Sequence, residues 1–191
     1  MRAVKNSLLL LVVSCISLFS VQAERIRLSE GVTSRELNRT LEYLVDEEGA
    51  LPPAEVYAER DEFAPFPRRS IQIPRDGVMW LLLEVENSGE PSRWMIENSM
   101  NVELMELFLR EEGEWRLDQR TGNMVPFAQR ELKTRNPVFE IRLEKDQRRD
   151  ILLRLTDFQS AIGRVKIEEA ENCAVEYNRR PLLLGLGVGL C

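Results

Sequence analysis

Period-two alternation of apolar and polar residues, punctuated by turn residues, constrains this chain more than any other feature. Along residues 80–87, Leu81, Leu83 and Val85 fall on one face of an extended segment, with Trp80, Leu82, Glu84 and Glu86 on the other. Met105, Leu107 and Leu109 share a face in the same way. Phe139, Ile141 and Leu143 alternate with Glu140 and Arg142, Ile151, Leu153 and Leu155 with Leu152, Arg154 and Thr156, and Val165 and Ile167 with Lys166 and Glu168. Successive side chains of a strand point to opposite faces, so this pattern predicts strands buried on one side. Turn-forming runs separate them: Asn87-Ser88-Gly89-Glu90-Pro91, Glu111-Glu112-Gly113-Glu114, Arg120-Thr121-Gly122-Asn123 and Lys145-Asp146-Gln147. Together they predict an all-β, antiparallel two-sheet sandwich. Upstream the pattern is less regular. Leu37, Leu41 and Leu44 have helical spacing, but Asn38, Arg39 and Thr40 interrupt it, leaving a short helix or an extended opening. Residues 52–58 suit a helical turn with proline at its first position, and residues 61–69, with Pro65 and Pro67, read as a surface loop.

The chemistry available to such a fold is narrow. The chain has no histidine, which excludes histidine-based triads, the common zinc ligand sets and imidazole acid–base catalysis. It carries no glycine-rich phosphate loop, no Cys-x-x-Cys and no Gly-x-Ser-x-Gly. No catalytic residue, metal ligand or cofactor is therefore expected. Carboxylates abound, but pairs such as Glu84 and Glu86 lie two apart on one strand face, the pattern of solvated positions rather than of a glycosidase acid pair. A net charge of −6 with dispersed acids and no basic stripe argues against nucleic-acid binding. Cys15, Cys173 and Cys191 make no disulfide framework.

The order of the segments carries further information. Residues 80–87 are followed by Trp94-Met95-Ile96-Glu97-Asn98, by residues 102–109, and by Thr121-Gly122-Asn123-Met124-Val125-Pro126-Phe127-Ala128-Gln129-Arg130. Residues 41–46 with Gly49-Ala50-Leu51 precede them, and Ile151-Leu152-Leu153-Arg154-Leu155 follows. This series resembles the second extracellular sensor module of bacterial seven-transmembrane receptors with diverse intracellular signalling modules, over about residues 41–167. The most specific piece is the Thr-Gly-Asn-x-x-Pro-Phe-x-x-Arg run ending at Arg130. The chain departs from the family pattern where Asn123 replaces the usual aspartate, and where Asn98-Ser99 replaces Asn-Pro. The resemblance implies a jelly roll like those of carbohydrate-binding modules. It also implies a non-catalytic sensor of a small molecule or carbohydrate, on the periplasmic side of the inner membrane.

Both ends fit that expectation. Residues 1–23 read as an export signal: Arg2 and Lys5 lead an apolar run to Val21, and Val21-Gln22-Ala23 offers a cleavage site. A retained anchor, or lipidation at Cys15 after Val12-Val13-Ser14, are the alternatives. The exported sandwich domain is expected over residues 24–176. Residues 177–191 contain Arg179-Arg180-Pro181 and then a wholly apolar run too short to span a bilayer, read as the start of a truncated membrane helix that in an intact receptor would join the domain to the inner membrane. A greasy tail packed on the domain is the other reading.

Three residues are candidate ligand contacts. Trp80 lies on the more polar face of its strand, where jelly-roll modules stack sugars on aromatic rings, although Leu82 beside it suggests a covered face instead. Arg130 offers a guanidinium fork to an anionic group, or alternatively pairs with a loop carbonyl or carboxylate. Asn123 stands at the turn of the family-like run. Trp94 is expected in the core, and Trp115 in a hairpin return that caps the sandwich. The rival function is an envelope protein-interaction module without a small-molecule ligand.

Overall fold

The structure, a computed structural model, describes residues 25–29, 34–66, 77–90, 92–99, 102–134, 136–156 and 164–173. The expected export signal at 1–23 with Cys15, and the apolar segment within 177–191 with Cys191, lie outside the described residues.

Among the described residues, eleven strands form two sheets. They are β1 (Ile26–Leu28), β2 (Ser34–Glu36), β3 (Glu42–Asp46), β4 (Ala64–Pro65), β5 (Val78–Asn87), β6 (Arg93–Asn98), β7 (Leu104–Glu111), β8 (Glu114–Thr121), β9 (Val138–Arg142), β10 (Arg148–Thr156) and β11 (Val165–Glu169). The large sheet runs β4-β3-β5-β10-β7-β8, with β1 also against β5, and the small sheet runs β2-β11-β6-β9. All pairings are antiparallel except β1 with β5, which is parallel. The alternation expected from the sequence is realised. Met79, Leu81, Leu83 and Val85 of β5 and Ile151, Leu153 and Leu155 of β10 meet Trp94 and Ile96 of β6, Phe139 and Ile141 of β9, and Val165 and Ile167 of β11 in one core. Each such buried aliphatic side chain contributes about 1.5–3 kcal/mol relative to exposure.

The opening segment is extended. Leu37 and Leu41 are both buried, and a turn at residues 38–40 separates them. The chain then pairs with β5 as β3, with β4 along its other side at Glu42 and Tyr43, because strand pairing satisfies backbone groups of a segment too short for a stable helix. Helix α1 (Pro53–Ala58) begins with proline at its first position, and a 3-10 turn follows at Arg60–Glu62. These two pieces lie over the outer face of the large sheet and change its character. Val56 and Phe63 pack on Val78, Trp80, Leu82 and Leu152 in a second apolar layer. β5 is consequently buried on both faces. The expectation that Glu84 is solvated fails here: it is 8% exposed and its Oε1 accepts a 2.6 Å hydrogen bond from Arg60 Nη2. A guanidinium, not water, compensates the carboxylate.

No helix among the described residues is long and apolar enough to cross a membrane.

Candidate functional site

The loop after β8 is built around Arg130. Gly122 opens it at φ +118, where a Cβ would meet the Glu103 carbonyl oxygen at 2.5 Å, so only glycine fits. The Asn123 and Met124 amides donate to the carbonyls of Val102 and Glu103, at 3.1 and 2.8 Å, pinning the loop to the start of β7. Pro126 leads into a 3-10 turn at Phe127–Gln129. Arg130 then reaches back across the loop. Its Nη2 donates to the Gly122 carbonyl at 2.7 Å, its Nε to Val125 at 3.1 Å and its Nη1 to Thr134 at 3.4 Å. The guanidinium sits 5.7 Å from the Phe127 ring centroid. Arg130 thus donates to three loop carbonyls, of which that of Gly122 also accepts from the Val125 amide at 3.2 Å. Met124 and Phe127 project from this frame, 69% and 54% exposed.

The same loop carries Leu132 and Thr134 to the outer face of the small sheet. There β6 presents Arg93, Met95 and Glu97, β9 presents Val138, Glu140 and Arg142, and β11 presents Lys166 and Glu168, since their neighbours in sequence fill the core. Leu132 packs with Met95, Val138, Ala170 and Cys173. Between them lies an open apolar cleft of about 320 Å³, rimmed by Arg93, Thr134 and Glu171. Arg93 also borders a second, polar cleft of about 390 Å³ along the β8–β9 side, with Gln119, Glu131, Glu140, Arg142 and Arg149 in its wall.

Arg93 is fixed by a two-pronged contact to Glu140: Nε to Oε1 and Nη2 to Oε2, each 2.9 Å. The Arg93 hydrogen bonds, opposed by partial burial, hold the Glu140 carboxyl below the ordinary glutamate value. Gln119 of β8 clasps the Glu140 backbone: its Nε2 donates to the carbonyl at 2.6 Å and its Oε1 accepts from the amide at 3.2 Å. That side-chain amide joins the adjacent edges of the two sheets. Deeper on this face, Lys166 Nζ lies 2.9 Å from Glu97 and 3.1 Å from Glu168, and Asn136 Nδ2 donates to Glu97 at 2.5 Å. Burial alone lowers Lys166, but the hydrogen bonds to Glu97 and Glu168 outweigh it and raise the ammonium above its usual range. Burial, followed by the charge of Glu168, pushes the Cys173 thiol up to about 12. A thiol held protonated at neutral pH is a packing group and not a nucleophile.

Trp80 lies elsewhere. It is 1% exposed on the outer face of the large sheet, beneath α1, with its ring 5.7 Å from Phe108 and the Arg154 guanidinium 5.9 Å above it. Beside it, Tyr57 of α1 donates its hydroxyl to Asp150 at 2.8 Å and accepts from Arg60 at 3.2 Å. Trp115 does not cap the sandwich end. It packs on Tyr57 at 5.2 Å on this same outer face, because the β7–β8 register pairs it with outward-facing Arg110. The fold therefore brings Asn123 and Arg130 into one loop and places Trp80 on the opposite side of the sandwich.

A family model for the 7TMR-DISM extracellular 2 domain matches residues 38–169. The chain belongs to this family. The match runs from the turn before β3 to the end of β11, so it takes in both outer faces and the Arg130 loop. No curated protein matches the chain. Among solved structures, a beta-glucosidase from Kluyveromyces marxianus in complex with glucose aligns with 11% identity and a TM-score of 0.36, covering 69% of this chain and 16% of that one. A likeness that slight carries no argument about fold or activity.

Within this 7TMR-DISM extracellular 2 domain, the cleft residues Arg93, Met95, Leu132, Val138 and Glu140 were not singled out from the sequence. A signal existed. Met95 and Val138 are apolar residues on strand faces whose other members are charged, which marks a polar face interrupted by a greasy patch. Among the described residues, no group of His, Cys, Asp and Glu is placed to hold a metal ion.

Proposed function

We propose that this receptor-type extracellular domain is a non-catalytic, periplasmic ligand-sensing module, and that the apolar cleft on the small sheet receives the ligand. The observation that carries the reading is the junction at Arg93, where an apolar cleft meets a polar one. Binding sites combine apolar walls with a few fixed polar groups, and the Arg93–Glu140 fork is fixed in that way. Among the described residues, neither cleft is lined by tryptophan, tyrosine or phenylalanine, which favours a small molecule with an apolar face and a polar edge over a sugar stacked between rings. The absence of histidine and the protonated Cys173 thiol support a binding role over a catalytic one. Occupancy would alter the packing of Ala170 and Cys173, which follow β11 on the path out of the domain.

The test is titration of the purified chain with 1-anilinonaphthalene-8-sulfonate, an amphipathic probe. Saturable one-site binding is expected, weakened at least about tenfold by Leu132→Asp, which sets a charge in the cleft, with thermal unfolding little changed. Binding that Leu132→Asp leaves intact would remove the cleft from consideration.

The second reading, a module that docks another envelope protein, is favoured by Met124 and Phe127, which the Arg130 frame holds out to solvent. A Met124→Ser/Phe127→Ser variant that loses receptor signalling while keeping probe binding would favour it.

A further inference from the structure

Four arginines converge at one end of the large sheet. Arg110 is the penultimate residue of β7, Arg116 lies on β8, and Arg148 and Arg149 begin β10. Together with Glu111, Glu112 and Gln147 they line a cleft of about 420 Å³. The register brings them together, since Leu109 of β7 pairs with Arg116 on one side and with Ile151, two residues beyond Arg149, on the other. In a chain of net charge −6 this concentration of guanidiniums does not follow from composition.

Three of the four are held by carboxylates outside the cleft wall: Arg110 by Asp150 at 3.6 Å, Arg116 by Glu114 at 3.8 Å and Arg148 by Glu86 at 3.2 Å. Those carboxylates have further partners. Asp150 accepts from the Tyr57 hydroxyl, and Glu86 also faces Arg25 and Arg27 at 4.0 and 3.9 Å. Arg149 meets Glu111, in the wall, at 3.9 Å. Charge-assisted hydrogen bonds are usually about 2.7–2.9 Å, so these contacts are loose; Arg110 also lies 4.7 Å above the Tyr57 ring, while Arg116, Arg148 and Arg149 keep most of each fork for another acceptor. The Arg93–Glu140 pair, with two contacts at 2.9 Å, shows what a fully engaged fork looks like in this same fold.

We propose that this cleft binds a doubly charged oxyanion of the phosphate type. In the wall itself four arginines stand against two glutamates, and the carboxylates that hold three of those arginines lie outside it, an arrangement that suits a phosphate dianion. A tetrahedral oxyanion accepts from several forks at once, which a flat carboxylate does less well. The site is separate from the apolar cleft and stands without it. A soluble phosphate ester and a lipid headgroup both present this group.

The purified full chain is titrated with inorganic phosphate by calorimetry, and mixed with phosphatidylcholine vesicles with and without phosphatidic acid. The Arg116→Gln/Arg148→Gln variant alters two side chains that are each 63% exposed, so folding is retained. The matched control is Arg39→Gln/Arg164→Gln, two exposed arginines outside the cleft with the same change in charge. Phosphate binding that falls at least about tenfold in the cleft variant and not in the control supports a soluble source. Selective loss of co-sedimentation with phosphatidic acid vesicles supports a lipid one. Failure to bind either, equal loss in both variants, or equally tight binding of succinate would overturn the proposal.

Discussion

The two outer faces of the sandwich begin from similar strands and end differently. On the large sheet, α1 and the 3-10 turn after it cover Trp80, Leu82 and Leu152, and Glu84, Glu106 and Asp150 on that face each have a guanidinium or hydroxyl partner. Glu106, for example, is 5% exposed and meets both Arg120 and Arg154 at 2.9 Å. On the small sheet, among the described residues, the Arg130 loop and residues 170–173 approach the face, with a cleft between them. Covering a face stabilises the domain, whereas a partly covered face keeps apolar surface in water, which is useful only if something else comes to occupy it. The closed face is thus read as structure and the open face as site.

The sharpest way to break this contrast is Trp80→Ala. A fully buried tryptophan replaced by alanine should cost about 3–5 kcal/mol, measured as a shift of the urea midpoint at constant slope. Leu132→Asp on the open face should cost far less, within about 1 kcal/mol, because its side chain is only half-buried. Equal losses at the two positions would mean that the faces do not differ as described.

Gly122→Ala probes the frame of the open side and should have the next largest effect. Alanine would be forced to a left-handed φ and its Cβ against the Glu103 backbone, a cost of about 1–3 kcal/mol. The Arg130 clamp, which holds the Gly122 carbonyl, should loosen with it, so amide exchange in residues 122–134 should quicken more than elsewhere. Uniform exchange throughout the domain would show that the loop is not a separate frame.

How much of this was legible beforehand follows from the range of the interactions. The inner core was readable because alternation is local: Leu81, Leu83 and Val85 declare their shared face within five residues. The cover on the large sheet was not, because a carboxylate at an alternate position looks the same whether water or a guanidinium compensates it. Glu84 finds Arg60 from 24 residues upstream, and Asp150 finds Tyr57 across 93. The cleft was hidden for the same reason, since Arg93 and Glu140 are 47 residues apart and only the β6–β9 pairing joins them. The Arg130 run was visible as a motif, and its geometry is now explicit as a carbonyl clamp, while Trp80 proved to belong to the other face. The parallel pairing of β1 had no local signature at all.

The smallest expected effect is also the most discriminating, because it has opposite signs on the two faces. On the closed face, burial and then the charge of Glu84 raise Glu42 above its ordinary value of 4.5, against a lowering by Arg60. A carboxyl with a raised folded value holds its proton longer in the native state. Its contribution to stability is therefore fully present below the ordinary value and is lost as pH rises through the raised one. On the open face, the hydrogen bonds from Arg93 lower Glu140. Its contribution is present above the ordinary value and is lost as pH falls through the depressed one. Urea midpoints of Glu42→Gln and Glu140→Gln should therefore diverge. At pH 7, Glu42→Gln should gain stability by removing a partly buried charge, and the gain should vanish on acidification below about pH 4.5. Glu140→Gln should lose stability at pH 7, with the loss shrinking as pH falls through the depressed value, since the native protein itself then gives up the charge. Curves of the same sign for both variants would show that the carboxylates of the two faces are held by the same balance of burial and pairing, and the distinction between a sealed face and an open one would lose its electrostatic half.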